Sequence, residues 1–262
     1  MAKATTAPAP THQLNTWKER LDKFAKRATA STANNISGKT ISTKGGKFAI
    51  DGVKTDEFVG VILDVAVVKA YYDNAYDPAN PQPPSCYAIS RDGADMTPHA
   101  KVKDPLCKSC SECRWNKFGT ATLGKGKACK DTLRLHILKI EDADQKIVEP
   151  YVLSIPPTGL KAASTYLKGV EDLGLCPQVV ATRFRIEQDD STFFQISFEV
   201  DEELDEATGG KFLDHADRAG DNVLAHFSER EAGDAPAPTP RVPNAKIKGT
   251  PVKPAAPVKR GR

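Results

Sequence analysis

Along most of this chain apolar residues recur at the spacing of strands, in runs separated by turn residues. The longest run, Glu57 to Tyr72, carries Phe58, Val59, Val61, Ile62, Val65, Val67 and Val68. It exceeds an ordinary strand, so the pattern predicts one that bends at Gly60 or Ala66 and continues across a sheet corner. Shorter strands are predicted at Lys47–Asp51, before a turn at Gly52, and at Cys86–Ser90, Thr132–Ile140 and Tyr151–Ile155. A final hairpin is predicted over Val180–Glu187 and Phe193–Val200, across the turn Gln188 to Ser191. Helical spacing appears three times. Trp17, Leu21, Phe24 and Ala25 mark a basic amphipathic helix within residues 14–30, and Leu160 to Leu173 is bounded by Pro156-Pro157 and Gly174. Residues 201–231 form an acidic helical segment interrupted at Gly209-Gly210.

That order predicts a mainly β, α+β chain with an OB-fold-like five-stranded barrel over residues 45–200, a helix between its third and fourth strands. A loop at residues 86–129 is inserted in it, and helices flank it. Residues 1–13 and 232–262 lack the apolar content to fold and are expected to be disordered. No apolar run is long enough for a spanning helix and no secretory h-region opens the chain, which predicts a cytoplasmic protein with no membrane partner.

The formal charge of +3 is small, but its distribution is uneven. Residues 187–234 hold fifteen acids against three bases, whereas residues 235–262 hold seven bases and no acid. Ten bases crowd Lys101 to Lys139 against Asp104, Glu112 and Asp131. A positive surface around the loop suggests a polyanion.

The loop also holds five of the six cysteines: Cys86, Cys107, Cys110, Cys113 and Cys129. Two overlapping CxxC units share Cys110. In a reducing compartment such clusters bind metal, and Cys86, Cys110, Cys113 and Cys129 have the spacing of a structural zinc loop. Cys107, Cys110 and Cys113 also repeat every third residue, as in iron–sulfur proteins, but no Cys-Pro follows in its usual place. A catalytic zinc of the nucleobase-deaminase kind would need a Glu two residues after His99, and Lys101 stands there. No nucleophile and base pair or phosphate loop is present, and His136, His215 and His226 stand alone, so no enzyme is expected. Cys176 reads as a small buried hydrophobe.

Aromatic and basic residues interleave around the loop. Tyr71, Tyr72, Tyr87, Trp115 and Phe118 offer rings for unpaired bases, and Lys117, Lys125, Lys127, Arg183 and Arg185 offer phosphate contacts. With Cys86 and Asp92-Gly93 before them, Cys110-x-x-Cys113, Asn116, Phe118-Gly119 and Gly124-Lys125-Gly126-Lys127-Ala128-Cys129 resemble a family of bacteriophage proteins related to single-stranded-DNA-binding proteins. The resemblance covers about residues 45–200. It implies an OB-fold, zinc and a role in phage DNA replication or recombination, with replication or recombination proteins as further partners and the host cytoplasm as location. Cys107 stands outside the motif, and the C-terminus is basic where such binders often carry an acidic tail; Glu199 to Glu206 would take that part. The alternative is a zinc-stabilised protein-interaction module of the replication or transcription machinery.

Overall fold

The computed structural model describes residues 39–74, 82–122, 125–188 and 194–227. The expected basic helix at 14–30 and both disordered termini lie outside them.

Nine strands form. Seven belong to one sheet: β1 (Lys39–Ile41), β4 (Glu57–Tyr71), β5 (Cys86–Ser90), β6 (Lys130–Leu138), β7 (Tyr151–Ile155), β8 (Val180–Gln188) and β9 (Phe194–Glu203). The other two, β2 (Phe48–Ile50) and β3 (Val53–Thr55), make a separate hairpin, with Asp51 and Gly52 both at positive φ in the two-residue turn. The large sheet runs β1-β7-β6-β4-β8-β9, and β5 adds to β4. The expected five-stranded barrel is therefore replaced by a larger sheet, which no pairing among the described residues closes. Its outermost strands each have one neighbour.

β4 organises the sheet because it is long enough to have different neighbours at its two ends. Glu57 to Val61 pair with β8, Val67 to Tyr71 pair with β5, and β6 runs along the opposite edge from Val61 to Ala70. The expected irregularity is present, but between Ile62 and Asp64, where the register with β6 shifts. A bulge of this kind turns the strand without a glycine.

One face carries the main core, in which Ile62, Leu135, Ile137, Leu153, Ile155, Phe184 and Ile196 meet Phe48 and Ile50 of the hairpin. Helix α1 (Leu160–Asp172) closes this core with Ala163, Tyr166 and Val170, residues three and four apart on one stripe. The Tyr166 hydroxyl shares a 2.6 Å hydrogen bond with Thr182 Oγ1, so its polar tip is satisfied inside the apolar layer. On the opposite face Val61, Leu63 and Leu138 receive Phe212 from helix α2 (Glu206–Ala219). The Asp205 carboxylate caps α2 by accepting the Thr208 amide at 2.7 Å.

Two expectations about the acidic segment change. Asp201 to Glu203 extend β9, and α2 runs straight through Gly209-Gly210. A Cβ at Gly209 would stand 3.1 Å from Val179 Cγ1, so this glycine lets the helix approach the turn Pro177–Val179 closely. Among the described residues no helix is long and apolar enough to cross a membrane.

Candidate nucleic-acid interface

The pairing of β4 with β5 sorts the candidate residues onto two faces. Tyr71 opposes Cys86 and Ala70 opposes Tyr87, so Tyr71 and Cys86 share one face while Tyr87 lies on the other. The segment between β5 and β6 folds over the Cys86 face. It is pinned there by Met96 and Cys110, which pack with Ala88 and Val67, and by the Cys110 amide donating to the Met96 carbonyl at 2.9 Å.

From Cys110 onward the loop becomes a braced turn. The chain makes a single 3-10 turn at Arg114–Asn116, and the Cys129 amide returns to the Trp115 carbonyl at 2.9 Å. Asn116 Nδ2 donates to the Cys110 carbonyl at 2.8 Å. Thr120 Oγ1 donates to the Lys117 carbonyl at 2.7 Å and accepts the Ala128 amide at 3.0 Å. Lys127 then closes the structure, its ammonium 3.2 Å from Asn116 Oδ1 and 2.8 Å from Asp131 Oδ2, while Lys69 of β4 reaches the other Asp131 oxygen at 2.6 Å. The Asn, Gly-Lys and Cys of the sequence motif thus serve the shape of the loop. Lys127, expected to meet phosphate, is spent on Asp131.

All five loop cysteines are free thiols, and Cys86, Cys110, Cys113 and Cys129 are buried. They share one electrostatic neighbourhood. Burial pushes the Cys129 thiol up to about 12, helped by Cys110. Cys107 is likewise pushed up to about 12, by burial and by a hydrogen bond with Cys113; Cys110, raised by burial and by Cys86, also touches Cys107. Neutral thiols crowded away from water are a donor set that a soft divalent cation would deprotonate and bind. The arrangement itself is looser than a coordination shell: among the described residues no three His, Cys, Asp or Glu side chains stand so as to hold a metal ion. Cys107 belongs to this neighbourhood, although the spacing argument set it aside.

The rings divide by environment. Trp115 is half-buried, with Tyr71 stacked on it at 5.1 Å and the Arg114 guanidinium 4.3 Å from its centroid. Its ring surface is therefore engaged within the protein, against the expectation of an open platform. Phe118 is the reverse case: it is 78% exposed at the tip of the turn, with Lys127 Nζ 5.3 Å from its centroid. Lys117 precedes it in the chain, and Lys125 lies across the turn, its carbonyl accepting the Gly119 amide at 3.0 Å; both are exposed and have no carboxylate partner among the described residues. Tyr72 is half-buried at the end of β4. Arg114 was missed, although its position next to Trp115 was the available signal.

Tyr87 is buried on the other face, stacked on His99 at 5.1 Å and edge-on to Phe227. Burial, aided by the charges of His226 and Lys101, holds the His99 pKa below its ordinary value. Arg183 and Arg185 stand apart from the loop, on the outer side of β8. Arg183 pairs with Asp201 and, at 3.1 Å, with Glu57; Arg185 meets Glu57 and Glu199, each at 2.8 Å. Their charge is compensated across three strands, which removes them from the candidate surface.

No protein-family model, no curated protein and no solved structure matches this chain.

Proposed function

We propose that this chain is a single-stranded-DNA-binding protein with an OB-like sheet, acting in phage DNA replication or recombination, whose contact surface is the turn from Cys113 to Cys129. One observation carries the reading: the only ring among the described residues that is more than three-quarters exposed, Phe118, stands on a cross-braced turn beside uncompensated bases. An exposed phenyl ring gains nothing in water, and bracing the backbone beneath it lowers the ordering cost of binding. Lys117 and Lys125 would meet phosphates while Phe118 stacks on a base, the combination used by sequence-tolerant single-strand binders. The resemblance of the loop motif to phage single-strand binders supports the same conclusion.

Zinc enters this proposal as a structural ion held by Cys86, Cys110, Cys113 and Cys129, which would draw the thiols closer than they now stand and fix both ends of the turn. The alternative of a protein-interaction module is favoured by the engagement of Trp115 with Tyr71 and Arg114, which leaves Phe118 as the one exposed ring among the described residues of the turn. Titration of labelled oligo-dT and of a duplex of the same length separates the two. The proposed function predicts saturable binding with preference for the single strand, and no binding of either would favour the interaction module.

A further inference from the structure

The sheet face opposite the cysteine loop is crossed by a strap, residues 220–227, whose contacts are of a kind that a nucleotide could replace. Ala66, Val68 and Ala70 of β4 form a buried floor of small side chains, with Arg134 opposite Ala66 and Tyr87 opposite Ala70. Arg134 is 3% exposed, and its Nη1 donates to the carbonyls of Val223 at 3.0 Å and Ala225 at 2.5 Å. The same guanidinium lies 5.0 Å from the Phe227 centroid, and Phe227 in turn stands 5.1 Å from Tyr87 at 81°. The root of the strap is held separately, by Arg91, which donates to the Gly220 carbonyl at 2.9 Å and pairs with Asp221 and Asp64, each at 2.7 Å.

Carbonyl oxygens on a guanidinium and an aromatic ring against a tyrosine are the two contacts that a phosphate and a base make. A phosphate is the better partner for Arg134, because a charged acceptor forms shorter and stronger bonds to a guanidinium than a neutral carbonyl does. From these contacts we infer that the face beneath residues 223–227 is a nucleotide subsite, with Arg134 for phosphate and Tyr87 for a base, and that the strap fills it when no nucleic acid is bound. This rests on the single-strand-binding reading above and adds to it a second point of contact. A site covered by its own chain binds with an affinity reduced by the fraction covered.

The test uses the full chain and labelled oligo-dT. Phe227→Ala removes the strap's ring and leaves the floor intact, so it should bind oligo-dT about 2- to 12-fold tighter, the equilibrium equivalent of an aromatic pair of about 0.5–1.5 kcal/mol. Arg134→Gln in the Phe227→Ala background should remove that gain. Because Arg134 is buried, hydrogen exchange on the unaltered protein provides an independent readout: the amides of residues 222–227 should exchange faster once oligo-dT is bound. Equal or weaker binding by Phe227→Ala, with exchange over 222–227 unchanged by oligo-dT, would overturn the strap and leave single-strand binding standing. Failure of both the wild type and Phe227→Ala to bind would overturn the binding reading and the strap together.

Discussion

Asp131 is the acid on which the loop closes, and replacing it by Asn tests whether the bracing described here holds the turn in place. Its carboxylate receives Lys69 at 2.6 Å and Lys127 at 2.8 Å, and the three side chains are 27%, 15% and 22% exposed. Burial alone would raise the Asp131 pKa, but the hydrogen bonds from Lys127 and Lys69 outweigh it and hold the carboxyl below its ordinary value. Asp131→Asn keeps one acceptor and removes the charge, leaving two partly buried ammonium groups facing a neutral amide. Each hydrogen bond to an ionised group contributes about 1.5–3 kcal/mol, and the one ammonium-to-amide bond that survives keeps about the low end of that range. Allowing for water reaching the freed lysine, the net loss is about 2–3 kcal/mol, or about 4–12 °C in Tm for a domain of this size. Urea unfolding followed by Trp115 fluorescence, with Trp17→Phe to silence the other tryptophan, measures it. Because the folded-state pKa of Asp131 is depressed, its stabilisation is complete above the ordinary carboxylate range and disappears as pH falls through the depressed value. The difference between wild type and Asp131→Asn should therefore be full near neutrality and shrink in acid. A difference under about 0.5 kcal/mol at neutral pH, the scatter of ordinary surface changes, or one that persists undiminished in strong acid, would refute the reasoning.

Phe118→Ala should leave stability within about 0.5 kcal/mol while weakening oligo-dT binding by about 1–3 kcal/mol at every sequence. Trp115→Ala should do the opposite, lowering stability through the lost contacts with Tyr71 and Arg114; paired unfolding and binding curves for both variants check this. Cys113→Ser or Cys129→Ser should lose zinc and local order, which elemental analysis and near-ultraviolet circular dichroism would read, and iron in the purified protein would contradict the assignment. Gly60→Ala would bring a methyl 2.7 Å from Ile137 Cγ2 and 3.0 Å from the Leu138 carbonyl oxygen, so it should destabilise by about 1–3 kcal/mol in a chemical melt.

Local pattern carried much of the fold. The β-branched run from Glu57 to Tyr72 is long and bounded, and it became β4 within one residue; the double proline and Gly174 bracketed α1 equally well. What pattern could not carry was pairing. β1 is three residues, Lys39 to Ile41, without a period of its own, and it exists because it lies parallel to Tyr151–Leu153. The same limit governs the site. Arg183 and Arg185 alternate outward as expected, but that Glu57, Glu199 and Asp201 flank them depends on β4 and β9 being the neighbours of β8. Trp115 and Phe118 are only three residues apart and look equivalent as rings. Cross-strand register decides that Tyr71 meets the first, and the braced turn leaves the second in water.

Hydrogen exchange of the zinc-loaded protein, with and without saturating oligo-dT, tests most directly whether the turn from Cys113 to Cys129 is the contact surface. The account predicts slowed exchange concentrated in residues 113–122 and 125–129, around Phe118, Lys117 and Lys125, with β8 and β9 around Arg183 and Arg185 unaffected. Oligo-dT that binds but leaves this turn unprotected, or that protects β8 and β9 in its place, would contradict it.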